Sequence, residues 1–259
     1  MIQITTLKGG RMMDVENYIQ RIGCSIKEPS FKHLVELQRT HLQTVPFENL
    51  DVIRNVPIYL SLPHIYEKIV THHRGGYCYE LNGLFHWALR EMGYDARMVP
   101  ASVMRPSGFF AKKHTHVAIL VVINGMMYVT DVGFGNQPLA PIPLDGTTYT
   151  DPSGTYYIQH QQKNVYRLMK RQENSWNTVY EFSTDEWELT DFHEGCVFNQ
   201  ISPESTFTHT DIVSLATKDG RITLKDAELL TIQHGEKTIQ ALTETEKMNT
   251  LMDTFNIRL

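Results

Sequence analysis

Cys78 stands directly after Arg74-Gly75-Gly76-Tyr77. It opens a run, 78–92, in which Leu81, Leu84, Phe85, Ala88, Leu89 and Met92 fall on one helical face. A cysteine at a helix start meets unpaired amide N–H groups and the positive end of the helix dipole, and Arg74 adds a further cation; such a setting lowers a thiol pKa and supplies thiolate near neutral pH. The glycine pair would let the backbone come close to a substrate. The plainer alternative, a small buried core residue, suits Cys24 and Cys196 better, because neither follows a glycine pair at a helix start. A thiolate nucleophile calls for a base, and among the twelve histidines His116 is singled out by the hairpin behind it. With Asn124-Gly125 as the two turn residues, Ile123 faces Met126 and, counting back, Ala118 faces Asp131. His116 then shares the face of Asp131 as its diagonal neighbour, roughly 7–8 Å away at the backbone. Nucleophile, base and orienting carboxylate are the parts of covalent acyl transfer. On spacing alone, His116 could equally end an edge strand and Asp131 cap the loop Gly133-Phe134-Gly135. His72-His73, His114 and His116 could suggest zinc, but no C-x-x-C or H-E-x-x-H pattern accompanies them, so no metal is expected.

The elements that must carry these residues change character along the chain. Val15, Tyr18, Ile19 and Ile22 keep helical spacing up to Gly23, Ser30 can cap a helix carrying Leu34 and Leu37, and Pro63 starts another with Ile65, Ile69 and Val70. Beyond Gly93, a C-terminal stop, the pattern turns to β over 96–104, 117–123, 126–131, 156–169 and 178–182. The last portion reads as strands 212–216, 222–224 and 229–232 around hairpin signals at Asp219-Gly220 and His234-Gly235, closed by a helix over 244–255. Helices, then strands, then a small mixed unit predict an α+β fold rather than alternating α/β.

With 259 residues, 41% of them hydrophobic and 20% charged, the chain can bury a core without disulfide or metal staples. A net charge of -5 and a pI near 6.2 do not suit nucleic acid or an anionic membrane, so neither is expected as a partner. Three scattered cysteines argue against a disulfide framework and for a reducing compartment, with the cytoplasm as the default. Residues 1–10 lack an apolar core of signal-peptide length, no run reaches the length of a membrane span, and 1–12 read as an extension ahead of the first helix.

Four motifs together resemble the arylamine N-acetyltransferase family: Pro46-Phe47-Glu48-Asn49-Leu50, Arg74-Gly75-Gly76-Tyr77-Cys78-Tyr79-Glu80-Leu81-Asn82, His114-Thr115-His116, and Asp131-Val132-Gly133-Phe134-Gly135. Their order and separations are similar to the family's, the resemblance is clearest over 46–135, and the motif context suggests a buried ion pair of Glu48 with Arg74 that positions the Cys78 turn. It implies a helical first domain, a central antiparallel β-barrel and a small α/β lid around a cysteine-protease-like core, set on this chain at 1–92, 93–201 and 202–259. It also implies Cys78, His116 and Asp131 as the catalytic triad, acetyl-CoA as acyl donor, and an aromatic amine or hydrazine as acceptor.

Two further sets of residues follow from that implied chemistry. No acidic residue occurs between Ala96 and Thr130, where Lys112 and Lys113 stand, so this stretch is a candidate phosphate site or simply a solvated loop. Gly133 and Gly135 could let a loop approach the donor. Phe47, Met104, Phe134 and Phe207 are candidate walls of an acceptor pocket, against ordinary core packing. Rival readings with the same triad are a papain-like or transglutaminase-like thiol hydrolase or amide-transfer enzyme, and an acyltransferase that builds a natural product. A non-catalytic binding module is the remaining rival.

Overall fold

Asp14 accepts the amide of Glu16 to start helix α1, Val15–Arg21, which ends before Gly23 in the left-handed conformation (φ +71°). The computed structural model describes residues 13–259, so the expected extension lies outside the described residues. Ser30 likewise caps α2, Phe31–Thr44, through the amide of His33. There follow a short strand β1, Phe47–Glu48, a single turn α3, Leu50–Ile53, and α4, Leu62–Tyr66, which runs on as a π-helical turn, Glu67–Thr71. Helix α5, Cys78–Glu91, ends at Gly93 (φ +86°).

Eight strands come next: β2 Asp95–Val103, β3 His116–Ile123, β4 Met126–Thr130, β5 Ile142–Pro143, β6 Tyr149–Asp151, β7 Gly154–Gln162, β8 Val165–Gln172 and β9 Ser175–Ser183. They pair antiparallel in the order β5-β4-β3-β2-β9-β8-β7-β6, and β5 comes against β7, so the sheet curls into a nearly closed barrel. Its interior is filled by Val99, Ala118, Leu120, Tyr156, Leu168 and Phe182. Strand β3 is buried on both faces: Ala118 and Leu120 point into the barrel, while Val117, Ile119 and Val121 join the core of α1, α2 and α5. The Asn124-Gly125 turn lies where the sequence puts it, with both residues at positive φ and Ile123 opposite Met126.

The chain then forms α6, His193–Ile201, and four strands, β10 Ile212–Thr217, β11 Gly220–Lys225, β12 Glu228–Gln233 and β13 Glu236–Ala241, before the closing helix α7, Glu244–Asp253. A second sheet orders β1-β10-β11-β12-β13, so β1 joins the C-terminal strands to the N-terminal helices.

Three expectations need correction. The segment 156–169 is a hairpin, β7 to β8, turning at Lys163-Asn164 with Lys163 at φ +44°; no glycine marks the turn. The turn after β10 is Lys218-Asp219, not Asp219-Gly220. Gly220 pairs with Thr217 as the first residue of β11, and it is glycine because a Cβ there would fall 1.9 Å from the Ile232 carbonyl oxygen. Strand β13 was not expected because all six residues are exposed and give no apolar alternation.

His41, on α2, shares a 2.6 Å hydrogen bond between Nδ1 and the Tyr18 hydroxyl, and burial pushes its pKa down to about 3. Folded His41 is neutral, whereas the unfolded chain takes up a proton below about 6.5. Its contribution to stability is therefore complete above that pH and is lost as pH falls toward 3. Urea midpoints should fall more between about pH 7.5 and about pH 5 for the wild type than for His41→Phe, with a difference approaching roughly 1.4 kcal/mol per pH unit below the unfolded value. Parallel curves would show that His41 does not carry this term.

Candidate active site

Two distant motifs lie side by side at the foot of α5. Glu48 N donates to Gly76 O at 2.8 Å and Gly76 N to Pro46 O at 3.3 Å. A Cβ on Gly75 would lie 2.1 Å from the Pro46 carbonyl oxygen. Gly75 thus serves the close approach of the chain entering β1, and Gly76 that of Glu80, whose Cβ would stand 2.9 Å from a Cβ added there.

Arg74 forms the buried ion pair with Glu48 that its motif context suggests, so its charge is not left free for Cys78. Its Nε donates to Glu48 Oε1 at 2.9 Å and its Nη2 to Asp51 Oδ1 at 2.9 Å. Lys68 bridges Asp51 at 2.7 Å and Glu80 at 2.8 Å, and Glu80 also accepts the Tyr77 amide at 3.1 Å, which caps α5. Three carboxylates and two cations bind 48–51, 68–74 and 77–80 into one unit, and the Arg74 charge is taken up within it rather than directed at Cys78. Burial pushes the Cys78 thiol well above the ordinary range; Asp131 and Cys196 raise it further, while the Tyr79 N–H pulls it down. The helix start alone therefore does not make a thiolate, and the expected lowering by setting is overturned by burial.

His116 and Asp131 lie together. Asp131 Oδ2 accepts from His116 Nε2 at 2.7 Å, and Oδ1 accepts from Asn82 Nδ2 and Gly133 N, each at 2.8 Å. Since a carboxylate only accepts, Nε2 carries the hydrogen and Nδ1 keeps a lone pair for proton uptake. Asn82, one turn along α5 from Cys78, also donates to Val117 O at 2.7 Å and accepts Val132 N at 2.9 Å. It thereby ties the cysteine helix to the histidine strand and to the aspartate loop. Gly133 packs so closely that a Cβ would stand 2.7 Å from Cys78 Cα. The Cys78 thiol points toward Thr115 O at 3.9 Å, and Cys78, His116 and Asp131 are all buried. Phe134 and Tyr180 flank the His116 ring at centroid distances of 5.3 and 5.1 Å. Such a set can take a thiol proton, hold the resulting imidazolium and carry an acyl group on sulfur.

A cavity of about 400 Å³ adjoins Thr115 and is lined by Met104 and Phe207 together with Val103, Phe198 and Asn199. Phe47 stands beside it, its ring centroid 6.0 Å from that of Phe207 and its edge 3.4 Å from the Cβ position of Gly135 (φ +87°). Phe134 packs on His116 and Tyr180 instead. Lys112 pairs with Glu194 at 2.7 Å and lies over the Phe198 ring, whereas Lys113 lines a separate cavity of about 190 Å³ with Ser102, His114 and Glu181. Gly133 is buried, its amide used by Asp131. Sequence reasoning missed Phe198 and Asn199 because α6 was not expected. All three cysteines are unpaired; Cys196 lies against the Tyr77 hydroxyl at 2.7 Å, and burial pushes its thiol up to about 11. Among the described residues, no cluster of three or more His, Cys, Asp or Glu could hold a metal ion, and no helix is long and apolar enough to cross a membrane.

A family profile described as N-acetyltransferase matches residues 30–259. The arylamine N-acetyltransferase pineal gland isozyme NAT-10 of Gallus gallus is 32% identical, covering 95% of each chain. Proansamycin X synthase of Amycolatopsis mediterranei (strain S699) is 28% identical, covering 93% of this chain and 96% of that protein. Among solved structures, a Bacillus cereus arylamine N-acetyltransferase with a unique Cys-His-Glu catalytic triad superposes with a TM-score of 0.89 at 28% identity, covering 96% of this chain and all of that one. The Salmonella typhimurium arylamine N-acetyltransferase gives 0.88 at 28% identity, with 94% and 90% covered.

Replacing Glu48 by Gln leaves Arg74 and Lys68 with one carboxylate fewer in a buried network. Glu48→Gln should lower stability by on the order of 3 kcal/mol in urea unfolding. An unchanged midpoint would show that the network does not hold the foot of α5.

Proposed function

The chain belongs to the arylamine N-acetyltransferase family, and on that premise we propose that it moves an acetyl group from acetyl-CoA to an aromatic amine or hydrazine through a thioester on Cys78. The observation that carries this reading is Asp131, bonded at once to His116, to Gly133 and to Asn82 on the Cys78 helix. In the first half-reaction His116 takes the Cys78 proton, the thiolate attacks the acetyl carbon, and CoA leaves with the proton returned by His116. In the second, the amine nitrogen attacks the acetyl-Cys78 carbonyl, the C–S bond breaks, and the amine proton passes through His116 to the cysteine sulfur. The first exchange trades one thioester for another, and the amide formed in the second is the more stable product. Aromatic amines suit this chemistry because they are unprotonated, hence nucleophilic, at neutral pH.

Met104 and Phe207, with Phe198, supply flat apolar walls beside Thr115 and so support an aromatic acceptor. For the donor we keep Lys112 and Lys113 as the basic stretch that meets its phosphates. Gly133 and Gly135 we assign to close packing of the aspartate loop on Cys78 and Phe47. The division into a helical part, 1–92, a barrel, 93–201, and a lid, 202–259, is supported by separate apolar clusters in the barrel and around α7, although β1 and α6 cross it. A reducing cytoplasm is the compartment in which three unpaired cysteines, Cys78 among them, stay as thiols.

Mass spectrometry of protein exposed to acetyl-CoA alone should find one acetyl group on the Cys78 peptide, discharged when an aromatic amine is added. Turnover with Cys78 unmodified, or turnover retained in Cys78→Ala, would overturn this reading.

A further inference from the structure

Asn199 lies on α6 and is 4% exposed, with its side chain on the wall of the 400 Å³ cavity. Its Nδ2 donates to Thr115 O at 3.1 Å, the same carbonyl oxygen toward which the Cys78 thiol points. A carbonyl oxygen can only accept, so the amide orientation is fixed and Oδ1 faces away from Thr115. Among the described residues nothing donates to Oδ1, yet it is not one of the sealed unpartnered atoms, such as Gln137 Oε1. Asn199 lines the cavity, so an Oδ1 without a protein donor is available to a ligand there. The Asn199 backbone is held as well, by Ser205 Oγ donating to its carbonyl at 3.2 Å. An amide oxygen at the wall of a cavity that Met104, Phe198 and Phe207 share with Arg105 and Thr206 is a ready acceptor for a ligand N–H or O–H.

From this geometry we infer that Asn199 orients the attacking amine, its Oδ1 accepting an N–H of the nucleophilic nitrogen beside acetyl-Cys78. The inference rests on the acetyl-transfer reading of the same site. Asn199 Nδ2 and the Cys78 sulfur approach one carbonyl oxygen, so the Asn199 amide is a near neighbour of the sulfur, and the attacking nitrogen, on this inference, sits between the thioester carbonyl and Oδ1. As the C–N bond forms, that nitrogen becomes positively charged and its N–H a stronger donor, until His116 takes the proton and the electron pair of the breaking C–S bond stays on sulfur. The hydrogen bond therefore strengthens along the second half-reaction and has no counterpart in the first.

The two half-reactions separate this role from a structural one, because distortion of Thr115 or His116 would slow both. Asn199→Leu should accept acetyl from acetyl-CoA at a rate within about threefold of wild type, read as CoA thiol release in a single turnover. Its acetyl-Cys78 should be discharged by an aromatic amine roughly tenfold more slowly. Asn199→Ser serves the same comparison if the leucine variant does not fold. Equal slowing of both steps would overturn the inference in favour of support for Thr115. Slowing of the first step alone would overturn it in favour of a contact with the amide of the donor's pantetheine arm, and an unaltered second step would leave Asn199 no role with the amine. Absence of any acetyl-Cys78 in the wild type would instead refute the acetyl-transfer reading itself.

Discussion

Asp131 is a buried carboxylate with both oxygens engaged, and a charge so placed persists only because its partners satisfy it. Those partners come from different parts of the chain: Asn82 from α5, His116 from the start of β3, and Gly133 from the loop after β4. The fold brings these three elements to one point. Strand β3 gives up one face to the helices and the other to the barrel, which fixes its position from both sides. The Asn82 side chain makes three hydrogen bonds there, to strand, carboxylate and loop, and so sets the register between the Cys78 helix and the strand that carries His116.

The electrostatics of Cys78 follow from the same burial. Its position at a helix start supplies the Tyr79 amide, but desolvation outweighs it and Asp131 adds repulsion. Arg74 does not offset this, because Glu48 and Asp51 hold it in a network whose effect is mechanical: it fastens the strand before α3 and the turn before α5 to one another. An ionised sulfur in this site therefore needs a proton acceptor that becomes a cation, the part the proposed reaction gives to the Asp131-backed imidazole of His116.

Much of this was legible in the residues. The Asn124-Gly125 turn sets a register that places His116 diagonal to Asp131, and the real hydrogen bond lies on that diagonal. The apolar face of 78–92 marks α5 from its first residue. Other features leave no local trace. Helix α6 carries Gly195 in its interior, which reads as a breaker; it is glycine because a Cβ would lie 2.4 Å from both the His114 carbonyl oxygen and the Tyr79 hydroxyl. Missing that helix hides Phe198 and Asn199. The pairing of Arg74 with Glu48 could be suspected from the motif context, but Asp51 and Lys68 join it through long-range contacts that local spacing does not reveal. The glycine pair signals a close approach, but not that the approaching groups include the chain's own Pro46 carbonyl and Glu80 side chain.

The dependence of Cys78 on His116 is tested most directly by the pH profile of its alkylation by iodoacetamide, followed on the Cys78 peptide in the wild type, His116→Gln and Asp131→Asn. If the imidazole creates the thiolate, the midpoint moves upward in His116→Gln, toward the high value that burial alone imposes, and moves in the same direction by a smaller amount in Asp131→Asn. A midpoint that stays with the wild type in both variants would contradict this and return the activation of Cys78 to the helix start.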